Sequence, residues 1–293
     1  MALTSPALTL AVPALFGNIK PATDLLKRLG PADFSANAPE YTVKPGATIK
    51  VPVSSIAAAS AYNASTNNYL TGGSTDWASL TSAHYLQGFD ISGVNVDQGV
   101  DKARMEQLFT KRAGSGIAYA VQGALKTCLD GTTASTGVTI AAVGTVTLDG
   151  YMGLAAAKDW YTASQSVLAV NGTEYANIKG LFAAKSIVGT DAELAAFLGF
   201  KDLILVPGMT ARICIVPDGS IGFLGRVPAI IANYPEVGVE VDPDTGLAVG
   251  IVIADDQATN KRVANADLWF GAYAISANAG ATTAGVIKVG TAS

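Results

Sequence analysis

The sequence predicts an α+β fold organised around one long helix. Between about 98 and 130, apolar residues recur at three- and four-residue steps, which is the period of an amphipathic helix. Runs of alternating apolar residues before and after this stretch predict β-strands. From about 136 to 225, short helical and strand patterns are mixed. We therefore expect a spine helix, β-rich sequence on both sides of it, and one compact mixed unit.

The spine helix is the clearest single pattern. About thirty residues at 1.5 Å each predict a rod of roughly 45–50 Å. Gly131 is well placed just beyond its end, and Gly114 and Gly116 predict a bend in its middle. The apolar stripe is expected to pack in the core; it consists of Met105, Leu108, Phe109, Ala113, Ile117, Val121, Ala124, Leu125, Cys128 and Leu129.

Residues 1–39 predict an extended arm. Prolines at 6, 13, 21, 31 and 39 are spaced so that little continuous structure is expected. A short helix is predicted at about 23–29, with Thr23 as its cap and Gly30 at its end. Apolar residues such as Phe16, Ile19 and Phe34 would let this arm lie along a partner.

Residues 40–97 predict a projecting two-stranded loop. Alternating runs lie on both sides of a Pro45-Gly46 turn, and another alternating run follows from His84. The polar stretch between them, 57–80, shows neither a helical nor a strand period. A two-stranded element of this kind is marginal alone, so it needs a neighbour to lie on.

The mixed unit is predicted at 136–225. Its patterns comprise a helix led by Asp149, a buried strand at 166–170, and a helix whose Thr190 and Glu193 match the capping-box spacing. Two further strands follow, with Pro-Gly and Asp-Gly turns.

The last third predicts a long antiparallel hairpin. A turn is expected at 242–246, followed by a strand through Ile253, a charged tip at 255–261 and an aromatic-rich strand. A short strand is expected at 286–289.

Charged residues make up only 14% of the 293 residues, against about 25% in ordinary soluble domains. Either much of the surface is buried against copies of the same chain, or the chain is a stable alanine-rich domain. The net charge of −4 and the absence of a basic tract argue against a dedicated nucleic-acid binder. Cys128 and Cys214 are expected to be core residues in a reducing compartment.

Neither a signal peptide nor a membrane span is predicted. No basic residue precedes the apolar sequence near the start, and the first one in the chain is Lys20, so a secretory signal is rejected. The longest uncharged runs are rich in Thr, Ser, Asn and Gly, so none reads as a membrane span.

No catalytic, cofactor-binding or metal site is predicted. The single histidine, His84, is expected to be a surface or loop residue. Residues 219–225 are expected to form a turn with strand glycines and not a dinucleotide loop, because Pro228 would break the required helix. Residues 242–246 are expected to form a hairpin turn and not a calcium loop. Asp255 and Asp256 are expected to point apart into solvent.

Four segments carry a family resemblance: TVKPGATIKVPVSS (42–55), FDISGVNVDQGVDKARMEQLF (89–109), VEVDPDTGLAVGIVIADD (239–256) and ADLWFGAYAIS (266–276). Together with the order of the predicted parts, they resemble the major capsid protein of tailed bacteriophages, which has the HK-97-like fold. The coat proteins of short-tailed phages are the most similar in character.

The resemblance implies a division into four parts. These are an N-terminal arm reaching a neighbouring subunit (1–39), an extended loop lying over an adjacent subunit (40–97), a peripheral domain made of the spine helix and the long hairpin (98–135 and 226–276), and an axial domain (136–225 and 277–293).

The resemblance also implies a structural function without enzymatic activity or a cofactor. Copies would form hexamers and pentamers of an icosahedral shell around double-stranded DNA, with non-specific DNA contact and no membrane. A separate scaffolding protein is expected because the sequence begins at the arm; a portal and decoration proteins are further implied partners. The location would be the virion, after assembly in the host cytoplasm. Lys44 and Lys50 lie in the loop, but no partner for a crosslink is identified, so none is expected.

Three other classes stay open at this stage. An encapsulin-like compartment shell would share the fold and would be distinguished by neighbouring genes. A β-rich surface adhesin is suggested by the Thr, Ala and Gly content, but it would require an export signal. A small-molecule enzyme would depend on His84.

Overall fold

A computed structural model of the chain describes residues 5–30, 32–33, 48–54, 75–90, 102–132, 134–156, 165–226, 237–256, 258–259, 261–274 and 285–291. The helices are α1 (Ser5–Leu29), α2 (Lys102–Asp130), α3 (Leu148–Ala156), α4 (Gly172–Ala184) and α5 (Asp191–Phe197). The first strands are β1 (Ala32–Asp33), β2 (Thr48–Ser54), β3 (Thr75–Thr81), β4 (Ala83–Asp90) and β5 (Ala134–Ile140). The remaining strands are β6 (Ser166–Val170), β7 (Asp202–Leu205), β8 (Ile213–Pro217), β9 (Ile221–Arg226), β10 (Val237–Val241), β11 (Ala248–Asp256), β12 (Lys261–Ala274) and β13 (Ile287–Thr291).

Helix α2 confirms the predicted spine. It is 29 residues long and continues as helix through Gly114 and Gly116. Its described apolar stripe is almost fully buried at Ala113, Ile117, Val121, Leu125 and Leu129. The N–H of Gly131 donates to the carbonyl of Thr127 over 2.9 Å, so the glycine ends the helix as expected.

Helix α1 corrects the prediction for the arm. The expected short helix at 23–29 is the end of a 25-residue helix that contains Pro6, Pro13 and Pro21. Pro6 lies in the first turn, where its missing N–H would have no helical partner anyway. The two inner prolines cost about 3 kcal/mol each. Burial against the core at roughly 1.5–3 kcal/mol per large apolar side chain outweighs that cost; the buried stripe is Ile19, Ala22, Leu25, Leu26 and Leu29.

A six-stranded sheet lies against the two long helices. Its order is β1-β9-β12-β11-β10, and β4 pairs with β12 beside β9. The predicted long hairpin is confirmed by the antiparallel pairing of β11 with β12, but its strands extend to Asp256 and Lys261, which face each other in the register. Strand β9 also belongs to this sheet, although its residues were predicted to lie in the mixed unit.

The pairing expected for the projecting loop is wrong in two respects. The partner of β2 is β3, with Thr48 opposite Thr81, and β3 falls inside the stretch that showed no strand period. The alternating run beginning near His84 forms β4, which pairs with β12 in the body of the molecule. Tyr41 and the Pro45-Gly46 turn lie outside the described residues. Hairpin β2–β3 pairs with no other strand of the described structure.

The second sheet has five strands in the order β5-β13-β8-β6-β7. Both of its faces are buried, because residues alternate between two apolar clusters. Along β6, Val167 and Ala169 face the cluster shared with α1 and α2, whereas Leu168 and Val170 face the helices α3, α4 and α5. Strands β6 and β8 bury every residue, which explains the continuous apolar runs in their sequences.

Candidate assembly elements

Hairpin β2–β3 continues into β4 through one residue, Ser82, and β3, whose Leu80 is buried, also lies against β12. Immediately after it, His84 lies opposite Trp269 in the β4–β12 register. Nε2 of His84 contacts Oδ1 of Asp267, whose residue is only 3% exposed. Burial raises the pKa of Asp267, and the contact with His84 partly offsets that rise. His84, expected at the surface or in the loop, is a partly exposed residue of β4 that contacts a buried carboxylate beside the root of the hairpin.

Two buried polar atoms at the same root have no hydrogen-bond partner: the hydroxyl of Ser82 and Nε1 of Trp269. At the same place, the backbone of Thr81 and Ser82 packs closely against Gly271 of β12. A Cβ on Gly271 would lie 2.5 Å from the carbonyl oxygen of Thr81 and 2.9 Å from Cα of Ser82. Only glycine lets the linker lie this close to β12, because the obstructing atoms are backbone.

The end of the spine is tied to the five-stranded unit through Asp130. Its carboxylate accepts from the N–H groups of Thr210 (3.0 Å) and Ala211 (2.8 Å), and its carbonyl accepts from Nζ of Lys288 (2.9 Å). Partial burial acts to raise the pKa of Asp130, but these backbone hydrogen bonds outweigh it and hold the pKa below its ordinary value.

A charged network lies inside the five-stranded unit. Glu174 is fully buried and accepts from Nε of Arg212 (2.6 Å) and from the hydroxyl of Tyr151 (2.5 Å). Arg212 also donates to the carbonyl of Ala141 over 2.9 Å. Burial, followed by the hydrogen bond to Glu174, raises the pKa of Tyr151. The donors of Arg212 and Tyr151 have acceptors here, so the network is suited to holding α3, α4 and the start of β8 together.

Sequence reasoning missed this network. The only signal was local: Asn171 caps α4 by accepting from the N–H of Glu174 over 2.9 Å, as its position ahead of the helix would allow. Nothing in the spacing pointed to Arg212 or Tyr151, because they come from elements distant in sequence.

The remaining sequence candidates are structural. Burial raises the pKa of both thiols, Cys128 and Cys214, to about 12, as suits the predicted core residues. Residues 219–225 form a turn and strand β9, as predicted. Residues 242–246 form the predicted hairpin turn, in which the N–H of Gly246 donates to the carbonyl of Asp242 over 2.8 Å. Asp255 and Asp256 extend β11, and their side chains lie outside the described part of the chain.

The described residues form neither a metal site nor a membrane-spanning helix. No group of three or more metal-ligating side chains comes together in them. None of the helices found there is long and apolar enough to cross a bilayer.

Large apolar side chains are exposed at several places on the surface. On β10, an edge strand, alternate residues Val239 and Val241 are half exposed. Between α4 and α5, Val188 is 94% exposed, and the half-exposed Phe197 ring meets Phe182 edge-on with ring centroids 5.5 Å apart. Further exposed apolar side chains are Leu86, Tyr119, Val143, Met152 and Leu205.

Several solved structures have an architecture similar to that of this chain. No family model and no curated protein matches the sequence. The capsid of the empty GTA particle has a TM-score of 0.55 at 13% identity, covering 91% of this chain and 96% of that chain. The capsid of Ralstonia phage GP4 has a TM-score of 0.53 at 8% identity, covering 85% and 84%. The capsid of the native GTA particle has a TM-score of 0.51 at 12% identity, covering 88% and 97%.

The chain has a phage capsid fold. The resemblance inferred from the four sequence segments is thereby confirmed at the level of fold. The match to the empty GTA particle capsid covers 91% of this chain, so the likeness extends over most of it.

Proposed function

We propose that the protein is the major coat protein of a tailed-phage head. Copies would form hexamers and pentamers of an icosahedral shell enclosing double-stranded DNA, and the subunit would act as a structural protein without enzymatic activity. The observation that carries the proposal is the capsid fold along 91% of the chain. The comparisons do not favour the compartment-shell alternative.

Hairpin β2–β3 supports assembly with other copies. A two-stranded sheet is marginal in water alone and needs a surface to lie on. In the described structure its strands pair only with each other, and only the β3 strand, near Ser82, lies against β12 of the body. A neighbouring subunit is the natural support in a shell.

The domain division follows the HK-97-like pattern in this proposal. Helix α2 and hairpin β11–β12 form the peripheral domain, and the five-stranded unit forms the axial domain around the fivefold and sixfold positions. Residues 40–97 act as the extended loop, with β2–β3 as the projecting part and β4 as the attachment. Residues 1–39 act as the arm, anchored in its own subunit by the buried side of α1.

The surface chemistry fits such a role. The chain has 14% charged residues and exposes apolar side chains at β10 and between α4 and α5. Interface cores are depleted in charge in the same way. With a net charge of −4, contact with the packaged DNA would be non-specific. We include a separate scaffolding protein, a portal and decoration proteins as partners, assembly in the host cytoplasm and a final location in the virion.

The test is deletion of 57–74, the connection between β2 and β3. The variant should keep the thermal unfolding midpoint of the parent, because the body retains its core, and it should fail to form shells when the parent forms them. Sedimentation and electron microscopy would read this out. Well-formed shells from the deletion variant would contradict a role of this connection in assembly.

A further inference from the structure

The end of α1 contacts both structural units, and this position carries an inference beyond the shell function. On one side, the buried stripe of α1 packs in the core shared with α2 and β11. On the other side, the last residues of the helix reach β7, α5 and the turn between β8 and β9.

Arg28 makes the contact with the five-stranded unit. Its Nε donates to Oδ2 of Asp202 over 2.7 Å and its NH2 group to Oδ1 over 2.9 Å, so the guanidinium grips the carboxylate with two parallel hydrogen bonds. The same NH2 group donates to the carbonyl of Leu203 over 2.8 Å and lies 3.7 Å from Oδ2 of Asp191. The hydrogen bond to Asp202 raises the pKa of Arg28.

The acceptors are themselves held in place. Oδ1 of Asp202 also accepts from the N–H of Leu203 over 2.8 Å. Asp191 is fixed by Nζ of Lys179 at 2.6 Å and by the hydroxyl of Tyr175 at 2.9 Å. Arg28 therefore grips a carboxylate on β7 and lies beside one on α5, and their orientation does not depend on Arg28.

A second contact follows two residues later, at Gly30. Gly30 has a positive φ of 60°, and its carbonyl accepts from the N–H of Gly219 over 2.9 Å. A Cβ on Gly30 would lie 2.1 Å from Oδ1 of Asp218. The chain leaving α1 thus passes directly against the β8–β9 turn.

These contacts differ in kind from the apolar core between the two sheets. Apolar packing is non-directional, so it resists separation more than it resists rotation. A bidentate arginine–carboxylate pair fixes distance and angle together. The Arg28 pair is therefore the directional side-chain contact by which α1 orients the five-stranded unit, as the hydrogen bonds of Asp130 do for α2.

We propose that α1 is a strut that fixes the angle between the two sheets, and that Arg28 is its positioning residue. The consequence for shells rests on the proposed function: in a shell, this angle sets how steeply neighbouring subunits tilt, so Arg28 governs the uniformity of shell diameter. The effect on the free subunit does not depend on assembly.

The test compares Arg28→Gln and Arg28→Lys with Lys27→Gln in the full chain. Lys27 is the adjacent residue, and it pairs with Asp244 through two exposed side chains, so it controls for loss of a surface charge on α1. Hydrogen exchange of the free subunit is measured at 202–205 and 191–197, together with its small-angle scattering profile. Exchange at 202–205 should be about tenfold faster in Arg28→Gln, intermediate in Arg28→Lys and unchanged in Lys27→Gln.

Shells assembled from the same proteins are then sized by electron microscopy. Arg28→Gln should give a broad diameter distribution or open sheets, and Lys27→Gln the parental distribution. Parental exchange and parental scattering in Arg28→Gln would overturn the inference. If the parent forms no shells even with a scaffolding protein supplied, the proposed function fails, and exchange and scattering still decide whether α1 fixes the angle between the sheets. If Arg28→Gln does not fold, hydrogen exchange and scattering of Arg28→Lys test the inference in its place.

Discussion

Arg212 donates from Nε to Oε1 of Glu174 over 2.6 Å, and Glu174 has no exposed surface. A carboxylate in that position is tolerable only because Arg212 and Tyr151 satisfy it. The pair joins the start of α4 to the start of β8, so the five-stranded unit depends on a charge pair that no pattern in its sequence announces.

Glu174→Gln should therefore destabilise the subunit strongly. It keeps the side-chain volume but leaves Arg212 without its ionic partner, at a cost of about 3 kcal/mol in the free energy of unfolding. Urea unfolding measures this. Lys201→Gln is the control, because it removes one partner of a pair whose side chains are 49% and 48% exposed. The control should change stability by less than about 0.5 kcal/mol. Equal losses in the free energy of unfolding would show that the buried network stabilises the subunit no more than an exposed ion pair does.

Asp130→Asn should weaken the joint between the spine and the five-stranded unit. The pKa of Asp130 is below its ordinary value, so the stability it contributes is complete above the unfolded-state pKa and is lost as the pH falls through the folded-state pKa. The free energy of unfolding of the parent should exceed that of the variant by about 1–2 kcal/mol at pH 7, and the gap should narrow as the pH falls below the unfolded-state pKa. Urea unfolding across this pH range provides the measurement, with the exposed Asp24→Asn as control. A gap that is independent of pH would contradict the assignment.

Asp267→Asn should have the opposite pH signature. Burial raises the pKa of Asp267, so its contribution to stability is complete below the unfolded-state pKa and is lost as the pH rises through the folded-state pKa. The parent should therefore lose stability relative to Asp267→Asn from about pH 4 upward. Unfolding midpoints at several pH values test this.

His84→Gln is the companion variant for Asp267. Because contact with His84 acts to lower the pKa of Asp267, removing it should steepen the loss of stability with rising pH. It should also cost about 2 kcal/mol, since it leaves a buried carboxyl group without its hydrogen-bond partner. If His84→Gln is as stable as the parent throughout this pH range, the contact between His84 and Asp267 makes no contribution to stability.

Gly271→Ala should disturb the root of the hairpin. Its Cβ would meet backbone atoms of Thr81 and Ser82 at 2.5 and 2.9 Å, so the strands must move apart, at a cost of about 1–3 kcal/mol. Gly180→Ala in α4 is the matched control, because its Cβ would meet nothing within 4 Å. The control should gain about 0.5–1 kcal/mol from helix propensity. Thermal unfolding distinguishes the two; a stabilised Gly271→Ala would refute the close approach.

The parts of the fold that the sequence predicted are those decided locally. The stripe through Ile117 and Leu125 specifies a helix by its period alone. Thr190 and Glu193 form the predicted capping box, because both hydrogen bonds span three residues. The turn at Asp242 likewise depends on neighbours in the chain.

The parts that sequence analysis missed depend on distant partners. Strand β3 has a weak period, and it is a strand because β2 pairs with it. Helix α1 continues through Pro13 and Pro21 because tertiary burial outweighs the local cost. His84 and Asp267 are 183 residues apart, so their contact is a property of the sheet and not of either segment.

The central claim is that this chain builds a shell, and electron microscopy of the purified recombinant protein tests it most directly, with mass in solution measured on the same sample. The account predicts closed particles or capsomer rings, formed by the protein alone or when a scaffolding protein is supplied. A chain that remains a 29.8 kDa monomer at high concentration with the scaffold present would contradict it.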